Sequence, residues 1–335
     1  MKIVKYSKSY NNLLSIKKDF YSENKNNLKN IIKINNKYIK QPKRNFCKNC
    51  ETKIQKKLFY QFKVNYTVCK KCGHLNGLNQ DTKKFVNWLY AGNKGSNFKK
   101  NYLNDFNKRV LNIYLPKVDF LKKVIKSKIN LLDIGSGGGH FLKALELKKV
   151  KATGFEPNKS LVELGNRKLK KNKLINFKLE DTYQKVLKDR SSNVLSMIGV
   201  LEHLDKPNHM LNFFKQSKIK YLYICVPLFS LSVLLENSFK NIFPRQLSAG
   251  HTHLYTKNSL NFLAKKNNLK IIGEWWFGAD FPDLYRSLLN SSSNYDVKKY
   301  KSLVDKNLYS VVNELQNVLD KNKICSEVHM IFKKR

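Results

Sequence analysis

The chain has 335 residues, enough for one large core and a smaller module. Its 65 Lys+Arg face 24 Asp+Glu, a formal charge of +41, yet only seven of the basic residues are Arg and the lysines spread evenly along the chain. Bases and phosphates are read best by arginine's bidentate fork, so this excess weighs against direct nucleic-acid binding, while an anionic small-molecule substrate would gain equally from the field.

Met1–Tyr6 lacks the apolar core of a signal peptide. No apolar run approaches the roughly 18 residues needed to span a bilayer. The longest, around Tyr221 to Leu235, is broken by Pro227 and Ser230. A soluble, cytoplasmic protein without a membrane span is expected.

Residues 1–45 form a Lys/Asn-rich segment in which Leu28, Ile31, Ile32 and Ile39 hint at a short helix or hairpin, with no chemistry assigned. Cys47-x-x-Cys50, then 18 residues, then Cys69-x-x-Cys72 follows. Each pair can form a knuckle with both thiolates on one side, and Gly73 supplies the turn. Two knuckles joined by a hairpin complete a tetrahedral sulfur site for structural zinc. The alternating Leu58–Tyr66 stretch between them suits the strands of a zinc ribbon over residues 46–80. A redox role is disfavoured, because neither pair sits at a strand-to-helix turn. His74 is expected at the surface. Cys225 and Cys325, in apolar runs, are expected to be inert core residues.

Residues 81–128 carry aromatics at spacings of three and four. Helices are predicted there, divided by Gly92–Gly95 and Pro116. The apolar run Ile129–Ile134 then reads as a buried strand, ending in Gly135-Ser136-Gly137-Gly138-Gly139 before a helical pattern from Phe141. Strand, glycine turn and helix open a nucleotide-binding α/β unit. A dinucleotide fingerprint wants a small third residue where His140 stands. Asp133, two residues before the first glycine, would repel a pyrophosphate but attract a cation. S-adenosylmethionine carries an ammonium and a sulfonium and no phosphate, and suits this loop better.

Val150–Phe155 is a second strand ending at Glu156, 21 residues after Gly135, where a carboxylate can accept hydrogen bonds from both ribose hydroxyls. Ile175–Asp181 reads as a third strand whose Glu180 and Asp181 meet the adenine amino group. Val194–Ile198 is a fourth, running through Gly199 into Glu202-His203. Lys220–Val226 and Leu269–Phe277 read as the fifth and sixth, and Ser326–Phe332 as a last strand inserted antiparallel. Leu228–Tyr255 is an insertion over the C-terminal edge of the sheet, and Tyr295–Asp320 is helical.

With LLDIGSGGGHF, GFEPN, FKLED and SMIGVLEHLDKP in order, the chain resembles the class I S-adenosylmethionine-dependent methyltransferases. The resemblance implies an α/β, Rossmann-like seven-stranded methyltransferase sheet over 129–335, with insertions near 228–256 and 278–323, after a small N-terminal zinc ribbon. It implies that Asp133, Gly135, Ser136, Gly137, Glu156, Glu180, Asp181, Met197 and Gly199 bind the cofactor. Helices over 81–128 would act as linker and lid, with Tyr102 or Arg109 reaching the cofactor. Ser192-Asn193 departs from the family, whose members often carry an acidic residue there. A cysteine quartet ahead of this domain resembles methyltransferases of sugar and surface-polysaccharide biosynthesis. A nucleotide sugar or glycan precursor is the acceptor this implies.

An acceptor hydroxyl or acidic carbon needs a base near neutral pH. His203 follows the fourth strand, and His251 and His253 lie on the insertion, so the three are the catalytic candidates. Arg245, Tyr255, Trp275, Trp276 and Asp280 are candidate walls of the acceptor pocket. Two rivals stand beside this reading. One is an RNA methyltransferase whose ribbon grips RNA; the other is a non-catalytic partner subunit that kept the fold.

Overall fold

The structure is a computed structural model that describes residues 1–10, 24–90, 105–204, 206–239, 241–247, 250–291 and 295–335. Twelve strands fall into two sheets: β1 (Ile3–Tyr6), β2 (Phe59–Gln61), β3 (Val64–Val68), β4 (Leu75–Gly77), β5 (Asn130–Ile134), β6 (Lys151–Glu156), β7 (Lys173–Asn176), β8 (Val194–Ile198), β9 (Tyr221–Pro227), β10 (His253–Leu254), β11 (Leu269–Phe277) and β12 (Glu327–Lys334).

The large sheet runs β1-β11-β12-β9-β8-β5-β6-β7. Strands β7, β6, β5, β8 and β9 are parallel, and β12 lies antiparallel between β9 and β11. These seven are the strands of a methyltransferase sheet. An eighth, β1, extends it beyond β11 in parallel, Ile3 opposite Gly273. Residues 3–6 therefore belong to the large sheet. Their strand is held by the Lys2–Glu274 ion pair at 2.5 Å and by Trp275 Nε1 donating to the Ser7 carbonyl at 2.8 Å.

Both faces of this sheet are covered, which is why β9 is apolar along nearly its whole length rather than alternating. On one face Leu131, Tyr223, Trp275 and Ile331 pack under helices 106–124 and 140–147. On the other, Leu132, Leu195, Ile224 and Met330 meet helices 207–216 and 257–266. Local chemistry sets the helix starts. Asn158 accepts from the Leu161 amide, Pro207 takes the first position of its helix, and Thr256 with Ser259 makes a capping box. Pro116 does not divide helix 106–124 with a gap. It follows a π-turn over Val110–Tyr114, whose looser ladder absorbs the missing N–H.

The second sheet runs β10-β4-β3-β2. A two-residue turn at Phe62-Lys63, both with positive φ, closes the β2–β3 hairpin. Its fourth strand comes from far along the chain: β10, in the insertion after β9, pairs antiparallel with β4. The cysteine segment and the methyltransferase insertion thus share one sheet. No helix among the described residues is long and apolar enough to cross a membrane.

Candidate functional site

The glycine loop leaves β5 at the C-terminal edge of the sheet. Gly135, Gly137 and Gly139 all take positive φ, which ordinary residues resist. A Cβ on Gly135 would stand 2.5 Å from a Val200 methyl, so the loop lies directly against the segment leaving β8. Asp133 sits beneath the loop, 2% exposed, and accepts from the Ser196 hydroxyl at 2.5 Å. Burial outweighs the Ser196 and Ser136 hydrogen bonds and pushes its carboxyl up to about 6. Asp133 therefore ties β5 to β8 as well as setting the charge below the loop.

Glu156, at the end of β6, holds the loop from the side. Its carboxylate accepts from the Gly137 amide at 2.9 Å and from the Asn158 amide at 3.0 Å. Ser136 lies in the same loop, its hydroxyl on the Asp133 carbonyl at 3.2 Å. Gly199 follows β8 with φ of 70°. Met197 is fully buried in the core below and does not line an open cleft.

The third strand is shorter than the sequence pattern predicts. It ends at Asn176, and Glu180 and Asp181 fall in the first turn of helix 179–188. Asn176 ends the strand by turning its side-chain amide onto the Glu156 and Pro157 carbonyls at 3.0 Å. Asp181 is exposed there; the Glu180 side chain and Tyr102 lie outside what the structure describes.

The three candidate histidines separate into two groups. His203 and His251 stack with ring centroids 4.8 Å apart. His203 Nδ1 lies 2.6 Å from the Tyr90 hydroxyl, and His251 Nδ1 donates to the Gln246 carbonyl at 2.8 Å. Burial holds His251 down at about 4 and His203 well below its ordinary value, so both rings are neutral at pH 7. His253 is elsewhere: fully buried, it faces His74 of the cysteine segment at 2.8 Å. His74 is therefore not a surface residue. It is sealed in when β10 pairs with β4.

Tyr90 is the contact that the sequence hid, because nothing local links residue 90 to residue 203. The proposed pocket walls also resolve. Trp275, Trp276, Tyr255 and Asp280 are core residues, Asp280 accepting from the Ser230 and Ser232 hydroxyls at 2.6 and 2.8 Å. Arg245 pairs with Asp283 at 2.8 Å.

Cys47, Cys50, Cys69 and Cys72 are free, buried thiols whose sulfurs lie within 4.8 Å of one another. The Cys47–Cys72 and Cys50–Cys69 separations are 3.7 and 3.4 Å, far longer than a disulfide bond of about 2 Å. A tetrahedral ion with metal–sulfur bonds of about 2.3 Å would space its ligands about 3.8 Å apart, so the four residues fit zinc. Asn76 Nδ2 donates to the Cys47 sulfur at 3.5 Å.

A methyltransferase-domain family matches residues 106–274, half of the chain. The fold is similar to a SAM dependent methyltransferase from Archaeoglobus fulgidus, at 17% identity and a TM-score of 0.45 over 72% of this chain and all of that one. It is also similar to the magnesium protoporphyrin IX methyltransferase of Synechocystis with bound SAH, at 9% and 0.48 over 76% of this chain and all of that one. A third is the plantazolicin methyltransferase BamL in complex with a triazolic desmethylPZN analog and SAH, at 13% and 0.47 over 74% and 94%. None of the curated proteins compared matches the chain. With the glycine loop, Glu156 and the strand order in place, the chain belongs to the class I S-adenosylmethionine-dependent methyltransferases.

Proposed function

We propose that this enzyme methylates a small-molecule acceptor, a nucleotide sugar or glycan precursor, with residues 46–80 as a zinc ribbon, 81–128 as linker and lid, and 129–335 as the catalytic domain. The observation that carries the acceptor site is the stacking on His251 of His203, three residues beyond Val200, which packs against Gly135 of the glycine loop. It supports a reading in which neutral imidazoles meet the acceptor at the crevice where open α/β sheets bind ligands.

Bound S-adenosylmethionine supplies an electrophilic methyl group on a sulfonium. Asp133, Gly135, Ser136, Gly137 and Glu156 shape its seat: the two backbone amides that Glu156 now holds fix where ribose hydroxyls would be met. His251 keeps its Nδ1 proton on Gln246, leaving Nε2 as the acceptor of a proton from the substrate. His203, aligned by Tyr90, stacks on His251. Transfer then rests mainly on alignment. The cysteine quartet holds zinc structurally and takes no part in the reaction, since closed sulfur sites offer no open position.

Methyl transfer from labelled S-adenosylmethionine to a panel of nucleotide sugars, followed by mass spectrometry, tests the acceptor class. A product gaining one methyl is expected. Label appearing only in RNA would replace this reading with the RNA-directed one. Metal analysis should find one zinc per chain, lost in Cys69→Ser.

A further inference from the structure

A second group of ligand-bearing side chains lies beside the cofactor loop. Glu202, His203 and His251 bring one carboxylate oxygen and two imidazole nitrogens within 4.8 Å of one another. His203 Nε2 is 3.8 Å from Glu202 Oε1. Each ring is anchored through its other nitrogen, His203 by the Tyr90 hydroxyl and His251 by the Gln246 carbonyl. That is the outer-shell arrangement by which proteins orient metal-bound histidines. Beneath them Glu202 is 2% exposed, and its Oε2 has no hydrogen-bond partner among the described residues. A buried carboxyl with one oxygen left unpaired favours a proton or a cation over bare charge.

We propose that Glu202, His203 and His251 form a two-histidine, one-carboxylate site for a divalent first-row cation, its open positions facing the methyl acceptor. Only that last placement rests on the acceptor reading above; the three ligands stand without it.

The donor set suits the proposal. Two imidazoles and one carboxylate on one side of an ion leave open positions on the other, unlike the closed sulfur site. Opposing contacts are also present. Lys48 and Arg245 add positive charge near the rings, and the Gly250 carbonyl competes for a ring proton of His203. Binding therefore requires His203 to release Gly250 and to carry its proton on Nδ1, with the Tyr90 oxygen accepting. Bonds of about 2.1 Å to one ion need the donors roughly 3 Å apart, closer than they now stand. A cation seated there would hold His251 Nε2 as a ligand and replace it as the group that activates the acceptor: it would acidify a coordinated hydroxyl, whose proton passes to solvent.

Manganese(II) separates this site from the cysteine quartet, because oxygen and imidazole suit it better than thiolate. Electron paramagnetic resonance titration of the full-length, zinc-loaded protein, without any acceptor, should show one Mn(II) per chain. Glu202→Gln and His251→Gln should abolish that binding, and Tyr90→Phe should weaken it about 10-fold. Zinc content and S-adenosylmethionine affinity, measured on the same samples, show that the variants are folded. Failure of the wild type to bind Mn(II), or undiminished binding by folded Glu202→Gln, would overturn the proposal. Turnover of a nucleotide sugar by protein that binds no Mn(II) would sink the cation site and leave the acceptor reading intact.

Discussion

His74 Nε2 and His253 Nδ1 lie 2.8 Å apart, joining the cysteine segment to the insertion that follows β9. The pair is sealed, both residues being fully buried, and the Tyr255 ring meets His74 edge-on at 4.6 Å. One ring donates and the other accepts, so each satisfies a polar atom that burial would otherwise leave bare. His253→Ala leaves a His74 nitrogen without its partner and should cost about 1–3 kcal/mol. Hydrogen exchange should reveal where: amides of β3 and β4 lose protection, whereas those of β5 and β8 keep it. Uniform loss across both sheets would mean that the pair does not couple them.

Glu156 is the side chain on which cofactor binding should depend most. Glu156→Ala removes an ionised acceptor from the Gly137 and Asn158 amides. The same carboxylate is expected to accept from the ribose hydroxyls, and hydrogen bonds to a charged group are worth about 1.5–3 kcal/mol each, so affinity for S-adenosylmethionine should fall at least about 100-fold. Glu156→Gln, which keeps the shape without the charge, should lose less. Calorimetry decides it, and unchanged affinity in Glu156→Ala would misplace the ribose site.

Gly135 meets two separate constraints. A methyl there would collide with Val200 at 2.5 Å, and φ of 70° disfavours any side chain. Gly135→Ala should weaken cofactor binding by more than about 10-fold, through a loop forced off its position. Adding Val200→Ala removes the collision but not the backbone cost of about 1–2 kcal/mol. The double variant should therefore recover only part of the loss in both melting temperature and affinity.

His329 gives the fold a pH dependence of known sign. It is fully buried against Trp275 and Phe277, each 5.3 Å away, and neither ring nitrogen has a hydrogen-bond partner among the described residues. Burial, then Lys117, Lys8 and Lys5, hold its pKa well below 6.5. The unfolded chain thus binds the proton that the folded chain refuses. Stability from this group is complete above about pH 7 and declines as pH falls through 6.5, by up to about 1.4 kcal/mol per pH unit. His329→Phe suits the aromatic stack and carries no titrating nitrogen. Thermal melts from pH 7.5 to 5.5 should show a shallower slope in that variant, and an unaltered slope would assign the effect to other groups.

Much of the site could be read along the chain because its determinants are local. Ile129–Ile134 followed by glycines gives β5 and its turn wherever the strand ends up, and Glu156 falls at the tip of the next apolar run. The cysteine spacing likewise announces two knuckles, since each pair needs only its own turn. The third strand stops short of Asp181, where local pattern alone carries it too far. Ile175 and Phe177 alternate well enough, but Asn176 ends the strand with side-chain bonds across to β6, and helix 179–188 begins.

The sequence by itself determined the sheet's central strands, the glycine loop, the sulfur quartet and the class of chemistry. Apolar runs, positive-φ glycines and knuckle spacing act over a few residues and need no distant partner. Only the tertiary structure decided that Ile3–Tyr6 would extend the sheet, that His74 would be buried, and that Tyr90 would reach His203. Strands of two or four residues carry too little pattern to name their neighbours. Their pairing is fixed by the burial that the rest of the fold offers them.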